Sequence, residues 1–191
     1  MNILEKQLEK SDEELAAFSI NSHEAFALLV DRYKNKLLSY IRRMSNLSDD
    51  DAKDVLQDIF LKVYLNLNAF DSSLKFSSWL YSIARNQIIS NYRKIKIRPE
   101  GNINHVDDVF LEKLASNTNI EEHFDNKILK DKIIKTLNSL KDKWREILIL
   151  RFFEEKDYNE ISEIIRKPSG TVASMLNKAK KEFKERYKKI S

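Results

Sequence analysis

Apolar residues recur every three or four positions along most of this chain. Over 24–44 they fall at Phe26, Leu29, Val30, Tyr33, Leu37, Leu38 and Ile41, which is the stripe of an amphipathic helix, and Ser22 stands where an N-cap is needed. Ser48 followed by Asp49, Asp50 and Asp51 opens a second helix, since acids in a first turn favour its positive end, and the apolar period carries this helix to about residue 67. The stretch NAFDSSLKF, 68–76, breaks the period and reads as a loop. FSSWLYSIARNQIISNYRK then restores it, with Leu80, Ile83, Ala84 and Ile88 directed inward. The outward side of that helix holds Ser78, Ser82, Arg85, Asn86, Ile89 and Arg93 with almost no acid, a face suited to an anion.

The period fails beyond Lys96. From Lys96 to Asn126 inclusive there are Pro99, Gly101, scattered Asn and seven acids against three bases, with no sustained apolar face. A stretch of this length is too long for an ordinary loop within a compact domain. Residues 96–127 are therefore expected to form a flexible acidic linker between one domain over 1–95 and another over 128–191.

Composition narrows the class. Two Gly and two Pro among 191 residues leave little of the turn chemistry that hairpin-linked sheets require, so the expected fold is all-α, with two small helical domains. The chain has no cysteine, which excludes disulfides and thiolate metal sites. With no basic-then-apolar leader and no run of about 18 apolar residues, a soluble, cytoplasmic protein without membrane insertion is expected. No G-x-x-x-x-G-K-[ST] or H-E-x-x-H motif is present, and His23, His105 and His123 are far apart in sequence. Hence no catalytic residue, metal ligand or cofactor is expected, and the protein is not read as an enzyme.

Charge is distributed unevenly. Residues 1–30 carry two bases against six acids, 61–95 five against one, and 131–191 sixteen against ten, which points to two separate patches that could bind a polyanion. The second patch coincides with a helix-turn-helix layout in YNEISEIIRKPSGTVASMLNKAKKEF, 158–183. Ile161, Ile164 and Ile165 form one apolar edge, Arg166 to Pro168 break the helix, and Ser169 can cap a second helix that turns Val172, Met175, Leu176, Ala179 and Phe183 inward. The opposite side presents Ala173, Ser174, Asn177, Lys178, Lys181 and Lys184, small residues followed by amide and ammonium groups that suit base edges and then phosphate.

The helix over 51–67 raises a different question. Ala52, Leu56, Ile59, Phe60, Val63 and Leu67 form its inward side, yet Asp54, Asp58, Leu61 and Leu65, flanked by Gln57, share the reverse. Leaving large apolar side chains in water forgoes roughly 1.5 to 3 kcal/mol each. Either a basic, partly apolar partner docks here, or the leucines pack on residues 11–18 or on the linker.

These residues resemble a known family. DDDAKDVLQDIFLKVYLNLNAFDSSLKFSSWLYSIARNQIISNYRK is similar to the second conserved region of extracytoplasmic function (ECF) sigma factors, the promoter-specificity subunits of bacterial RNA polymerase. LNSLKDKWREILILRFFEEKDYNEISEIIRKPSGTVASMLNKAKKEF resembles their fourth region, and SDEELAAFSINSHEAFALLVDRYKNKLLSYIRR their opening helices. The resemblance implies that Asp54, Gln57, Asp58 and Leu61, with Leu65 beside them, dock on the clamp of the largest polymerase subunit. It implies that the loop 68–76 captures a flipped base of the promoter minus-10 element, with Asn68, Phe70, Asp71, Ser72 and Ser73 as its pocket. Arg85, Asn86 and Arg93 would follow the opened strand, with Trp79 and Tyr81 buttressing their helix.

By the same resemblance, Ala173, Ser174, Asn177, Lys178 and Lys181 would read the minus-35 duplex while Ser169 and Thr171 touch phosphate. Trp144, Ile147, Leu148, Leu150 and Phe152 correspond to the region that seats the flap of the second polymerase subunit, some of them as core. The acidic linker would thread the RNA exit path, and an anti-sigma factor is a further possible partner. The chain departs from the family pattern at Arg166, where the turn usually has Gly, at Ser162 for Ala, and at Ala173 and Met175 for Lys and Arg. The alternative is a stand-alone helix-turn-helix regulator, which would explain residues 131–191 but not the acid-and-leucine face.

Overall fold

The structure is a computed structural model and describes residues 10–45, 47–94 and 126–190. All the regular structure among the described residues is helical. The expected linker, 96–127, falls almost wholly outside them. The chain divides into two compact units, Met1–Ile41 with Leu47–Arg98 and Pro99–Ser191 with Arg42–Asn46.

The first unit contains α1 (Asp12–Ser19), α2 (His23–Met44) as far as Ile41, α3 (Asp49–Leu65), a 3-10 turn (Leu67–Ala69) and α4 (Phe76–Lys94). Three of the four helix starts have a local cause. The Ser11 hydroxyl accepts from the Glu14 amide at 3.1 Å while the Glu14 carboxylate accepts from the Ser11 amide at 2.9 Å, a reciprocal cap for α1. Ser22 accepts from the Ala25 amide at 3.2 Å at the start of α2, and Ser48 from the Asp51 amide at 3.2 Å at the start of α3. Helix α3 ends two residues before the expected 67; Leu67 opens the 3-10 turn instead, buried, so the apolar period persists after the α-helix has tightened.

The core of this unit is made from one stripe of each helix: Leu15, Leu29, Leu37, Ile41, Ile59 and Leu80 are all at most 1% exposed. Aromatic rings fill the wider gaps. Tyr40 of α2 lies 5.1 Å from Tyr81 of α4, and Tyr33 meets Phe76 edge-on at 5.9 Å. Two expectations for α4 fail here. Ser78 and Ser82 are 1% and 8% exposed, so they belong to the packed side, where the small hydroxyl side chains fit against neighbouring elements. The Ser82 hydroxyl donates to the Trp79 carbonyl at 2.8 Å, an internal partner that makes its burial tolerable.

The second unit contains α5 (Asn126–Ser139), α6 (Asp142–Leu148), a π-turn (Ile149–Phe153), α7 (Tyr158–Ile165) and α8 (Ser169–Tyr187). Helix α8 packs on α5, α6 and α7. Val172, Leu176, Ala179 and Phe183 of α8 are buried with Ile133, Leu137, Ile147, Leu148, Ile161 and Ile164. Met175 is only half-buried, at the border of that stripe. The Asp157 carboxylate caps α7, accepting from the Asn159 and Glu160 amides at 2.9 and 2.8 Å. Arg186 near the end of α8 donates to the Ser139 carbonyl at 2.6 Å, satisfying an end of α5.

The tie from α1 to α2 sets a pH limit. The Tyr33 hydroxyl donates to the Asp12 carboxylate, which also accepts from Arg32 at 2.7 Å. Burial, then the bond to Asp12, pushes the Tyr33 phenol above its ordinary value. A raised acid of this kind contributes stability that is complete below the unfolded value near 10 and is lost as pH climbs toward the folded one. Stability measured by urea denaturation should therefore fall above about pH 10, and Tyr33→Phe should fall less steeply; identical slopes would show that the phenol contributes nothing.

Candidate functional site

Three surfaces carry the residues singled out in the sequence. On α3, Ala52, Val55, Ile59 and Val63 are buried, which leaves Asp54, Gln57, Asp58, Leu61 and Leu65 outward together. Leu61 is 57% exposed and Leu65 68%, so α1 does not cover them. Leu56 and Phe60, expected in the core, are instead half-buried. With Phe26, Val30, Leu61 and Tyr64 they line an open groove of about 620 Å³ between α2 and α3. The reason is spacing: bulky rings, Phe26 against Phe60 at 6.4 Å and against Tyr64 at 5.1 Å, hold the two helices apart at this end.

Asp58 is not a loose surface acid. Gln87 of α4, 6% exposed, donates to its carboxylate at 3.0 Å and accepts from Lys62 through its own carbonyl. Sequence reasoning missed Gln87; its signal was an amide standing among Ala84 and Ile88 on the inward side of α4. The amide spans both charges and fixes where Asp58 points.

The second surface is the loop before α4. The Phe70 amide donates to the Leu67 carbonyl at 3.1 Å, and its half-buried ring meets Phe76 at 5.5 Å and Trp79 at 5.2 Å, making one wall. Asn68, Asp71, Ser72 and Ser73 are exposed beside it. The Asp71 carboxylate accepts from the Ser73 amide at 2.9 Å, and this bond, joined by the Ser73 hydroxyl, holds its carboxyl below the usual carboxylate range. A fixed anion and several hydroxyls thus face water around an aromatic floor. On α4, Asn86 is exposed and Arg85 half-buried, while Arg93 lies in the last turn with its side chain outside the described residues. Tyr81 is buried and Trp79 half-buried, the supporting places expected for them.

The third surface is α8. Thr171, Ser174, Asn177, Lys178 and Lys181 are exposed on one side, with Ala173 half-buried, and Ser169 is exposed at the start of the helix. Ser169 does not cap the helix as expected. It is the first helical residue; Pro168, with φ −54° and no side-chain acceptor, occupies the cap. Arg166 takes the left-handed conformation, φ 54° and ψ 53°, that the turn requires. Ser162 compensates: its hydroxyl donates to the Lys167 carbonyl at 2.6 Å, and its carbonyl accepts the Lys167 amide at 3.1 Å. In the neighbouring segment Ile147, Leu148, Leu150 and Phe152 are core, leaving Trp144 half-exposed with Lys143 over its ring at 4.4 Å.

Among the described residues no His, Cys, Asp and Glu cluster could hold a metal ion, and no helix is long and apolar enough to cross a membrane. A helix-turn-helix with a basic outer face is the layout of a DNA-binding protein. Residues 29–97 match the Sigma-70 region 2 family and residues 130–183 the Sigma-70 region 4 family. The chain is 29% identical to the ECF RNA polymerase sigma factor SigW of Bacillus subtilis (strain 168), with 97% of this chain and 95% of that one covered. It is 31% identical to the ECF RNA polymerase sigma-E factor of Haemophilus influenzae, covering 82% of this chain and 84% of the relative.

Two solved structures share the fold. CnrH in complex with the cytosolic domain of CnrY matches with a TM-score of 0.69 at 21% identity, covering 95% of this chain and all of that one. RpoE with the anti-sigma factor NepR from Bartonella quintana matches with a TM-score of 0.64 at 22% identity, covering 85% and 96%. The chain belongs to the ECF sigma-factor family of RNA polymerase: it is a sigma factor that directs promoter-specific transcription.

The Arg166 turn gives a measurable consequence. A non-Gly residue in the left-handed region is disfavoured by about 1 kcal/mol. Arg166→Gly should raise the stability of the second unit by up to about that amount, read from its denaturation midpoint. A fall would mean that the arginine side chain contributes more than its backbone costs.

Proposed function

We propose that the three surfaces act in order during initiation. The ridge Asp54, Gln57, Asp58, Leu61 and Leu65 docks on the clamp of the largest subunit of core RNA polymerase. Its exposure carries this reading: two leucines at 57% and 68% beside Asp54 and the oriented carboxylate of Asp58 are a mixed apolar and anionic surface complementary to a basic helix with apolar positions. Trp144 offers a smaller contact for the flap of the second subunit.

The outer side of α8 reads the minus-35 duplex. Ala173, Ser174, Asn177, Lys178 and Lys181 face the groove, and Ser169 and Thr171 meet phosphate at the start of the helix. With Ala173 and Met175 replacing longer bases, Asn177 is the side chain best suited to a bidentate contact with adenine. The loop 68–76 holds a base taken out of the minus-10 stack. Phe70 is the apolar wall; Asn68, Asp71, Ser72 and Ser73 supply donors and acceptors for its edge; Arg85, Asn86 and Arg93 follow the strand. Unstacking costs a few kcal/mol, and a closed pocket offsets it.

The acidic linker 96–127 lies between these activities and takes the RNA exit path. The protein works in the cytoplasm, performs no chemistry of its own and needs no cofactor. An anti-sigma factor, as RpoE has in NepR, would bind across the same surfaces. The stand-alone regulator is disfavoured by the exposed ridge, which such a protein has no reason to keep.

Transcription in vitro with core polymerase and a promoter library tests the whole reading: wild-type protein should select one promoter class, and failure to bind core would favour the regulator. In that assay Asp58→Lys should weaken core binding by about tenfold or more while duplex binding is retained; unchanged core binding removes the ridge from the interface. Asn177→Ala should lose about 1 to 3 kcal/mol on the preferred minus-35 element. If it discriminates among point variants of that element as the wild type does, Asn177 does not read a base.

A further inference from the structure

Residues 1–30 carry six acids, none of them in the three surfaces, and two of those, Asp12 and Glu13, tie α1 to other helices. Asp12 binds Arg32 at 2.7 Å and accepts from the Tyr33 hydroxyl, which joins the first turn of α1 to α2. Glu13, one residue on, faces the other way. Its carboxylate accepts from the Phe76 amide at 2.9 Å, across 63 residues of sequence.

Phe76 is the first residue of α4, and its amide is one of the donors that a helix leaves without an intrahelical partner. The preceding residue is Lys75, whose side chain has donors only and cannot cap. Glu13 supplies the acceptor and places a negative charge at the positive end of α4. The ring of the same Phe76, 1% exposed, contacts Tyr33, Phe70 and Trp79 at 5.9, 5.5 and 5.8 Å. Backbone and side chain of this one residue are thus gripped from α1, α2 and the loop. Helix α1 also packs against α4 and the 3-10 turn that begins the loop.

We propose that Glu13 is a positioning residue for strand opening: by capping α4 from another helix, it fixes Phe76 and so the depth and tilt of the Phe70 wall against which the extruded base rests. This rests on the reading of loop 68–76 as the minus-10 pocket. Glu13 does not touch DNA. It acts through the α4 amide and the Phe76 ring, so what matters is a carbonyl-type acceptor at its position, and Gln can keep one where Ala cannot.

The test uses full-length protein with core polymerase, comparing wild type, Glu13→Ala and Glu13→Gln. Amide exchange at Phe76 should speed up about fivefold in Glu13→Ala, the scale of one lost cap, and return to within about twofold of wild type in Glu13→Gln. Promoter opening rate and affinity for a single-stranded minus-10 oligonucleotide should fall in parallel, again rescued by Gln, with core binding and minus-35 duplex binding unchanged. Equal losses in both variants, or a loss spread over every readout, would overturn the proposal. Faster exchange with normal opening would overturn it too, leaving the cap structural. Wild-type protein that binds core yet opens no promoter would instead refute the pocket, a result distinguishable because the exchange measurement needs no DNA.

Discussion

A small helical unit has a single core, and each of its helices can give that core only one stripe. This constraint governs the molecule. The side chains left on the remaining stripes are what the protein shows to others, so their chemistry is unusually informative. In α3 the buried stripe is Ala52, Val55, Ile59 and Val63, and the reverse holds aspartates with leucines. In α8 the buried stripe is Val172, Leu176, Ala179, Phe183 and Tyr187, and the reverse is polar and basic. The two displays thus differ in chemistry, one apolar and anionic, the other polar and basic.

Aromatic residues set the spacing on which these displays depend. Tyr40 with Tyr81 closes one end of the first unit, while Phe26 with Phe60 and Tyr64 holds the other end open as a groove. Between them the cluster of Tyr33, Phe70, Phe76 and Trp79 joins the start of α4 to the loop before it. Rings are rigid and large, so a few of them position a loop that contains several small polar residues and has little core of its own. Gln87 does the corresponding work for a charge, orienting Asp58 from the neighbouring helix.

What could be read from the sequence follows the same division. Helix periods, the Ser22 cap, the acidic first turn after Ser48 and the turn at Arg166 were legible because they depend on neighbours within a few residues. The outward faces of α3 and α8 followed from those periods by subtraction. Ser78 and Ser82 were assigned to solvent because hydroxyl residues usually are; nothing local reveals that an adjacent helix covers them. Ser169 has the composition of a cap, yet Pro168 takes that place because its fixed φ suits the step into the helix. The π-turn at Ile149–Phe153 adds a residue to an apolar run and leaves no mark in its composition. Partners over long separations have no local signal: Glu13 gives no hint of Phe76, and the inward amide of Gln87 marks a buried polar group without naming Asp58 as its partner.

The mixed make-up of the α3 ridge has a kinetic consequence. Attraction from its exposed carboxylates reaches only about 10 Å at 0.1 M ionic strength and weakens as salt is added, whereas burial of Leu61 and Leu65 is insensitive to such screening. Salt should thus govern how quickly a cationic partner is captured, and the leucines how long it is retained. On the proposed docking, a surface divided in this way would separate the speed of capture from the length of retention.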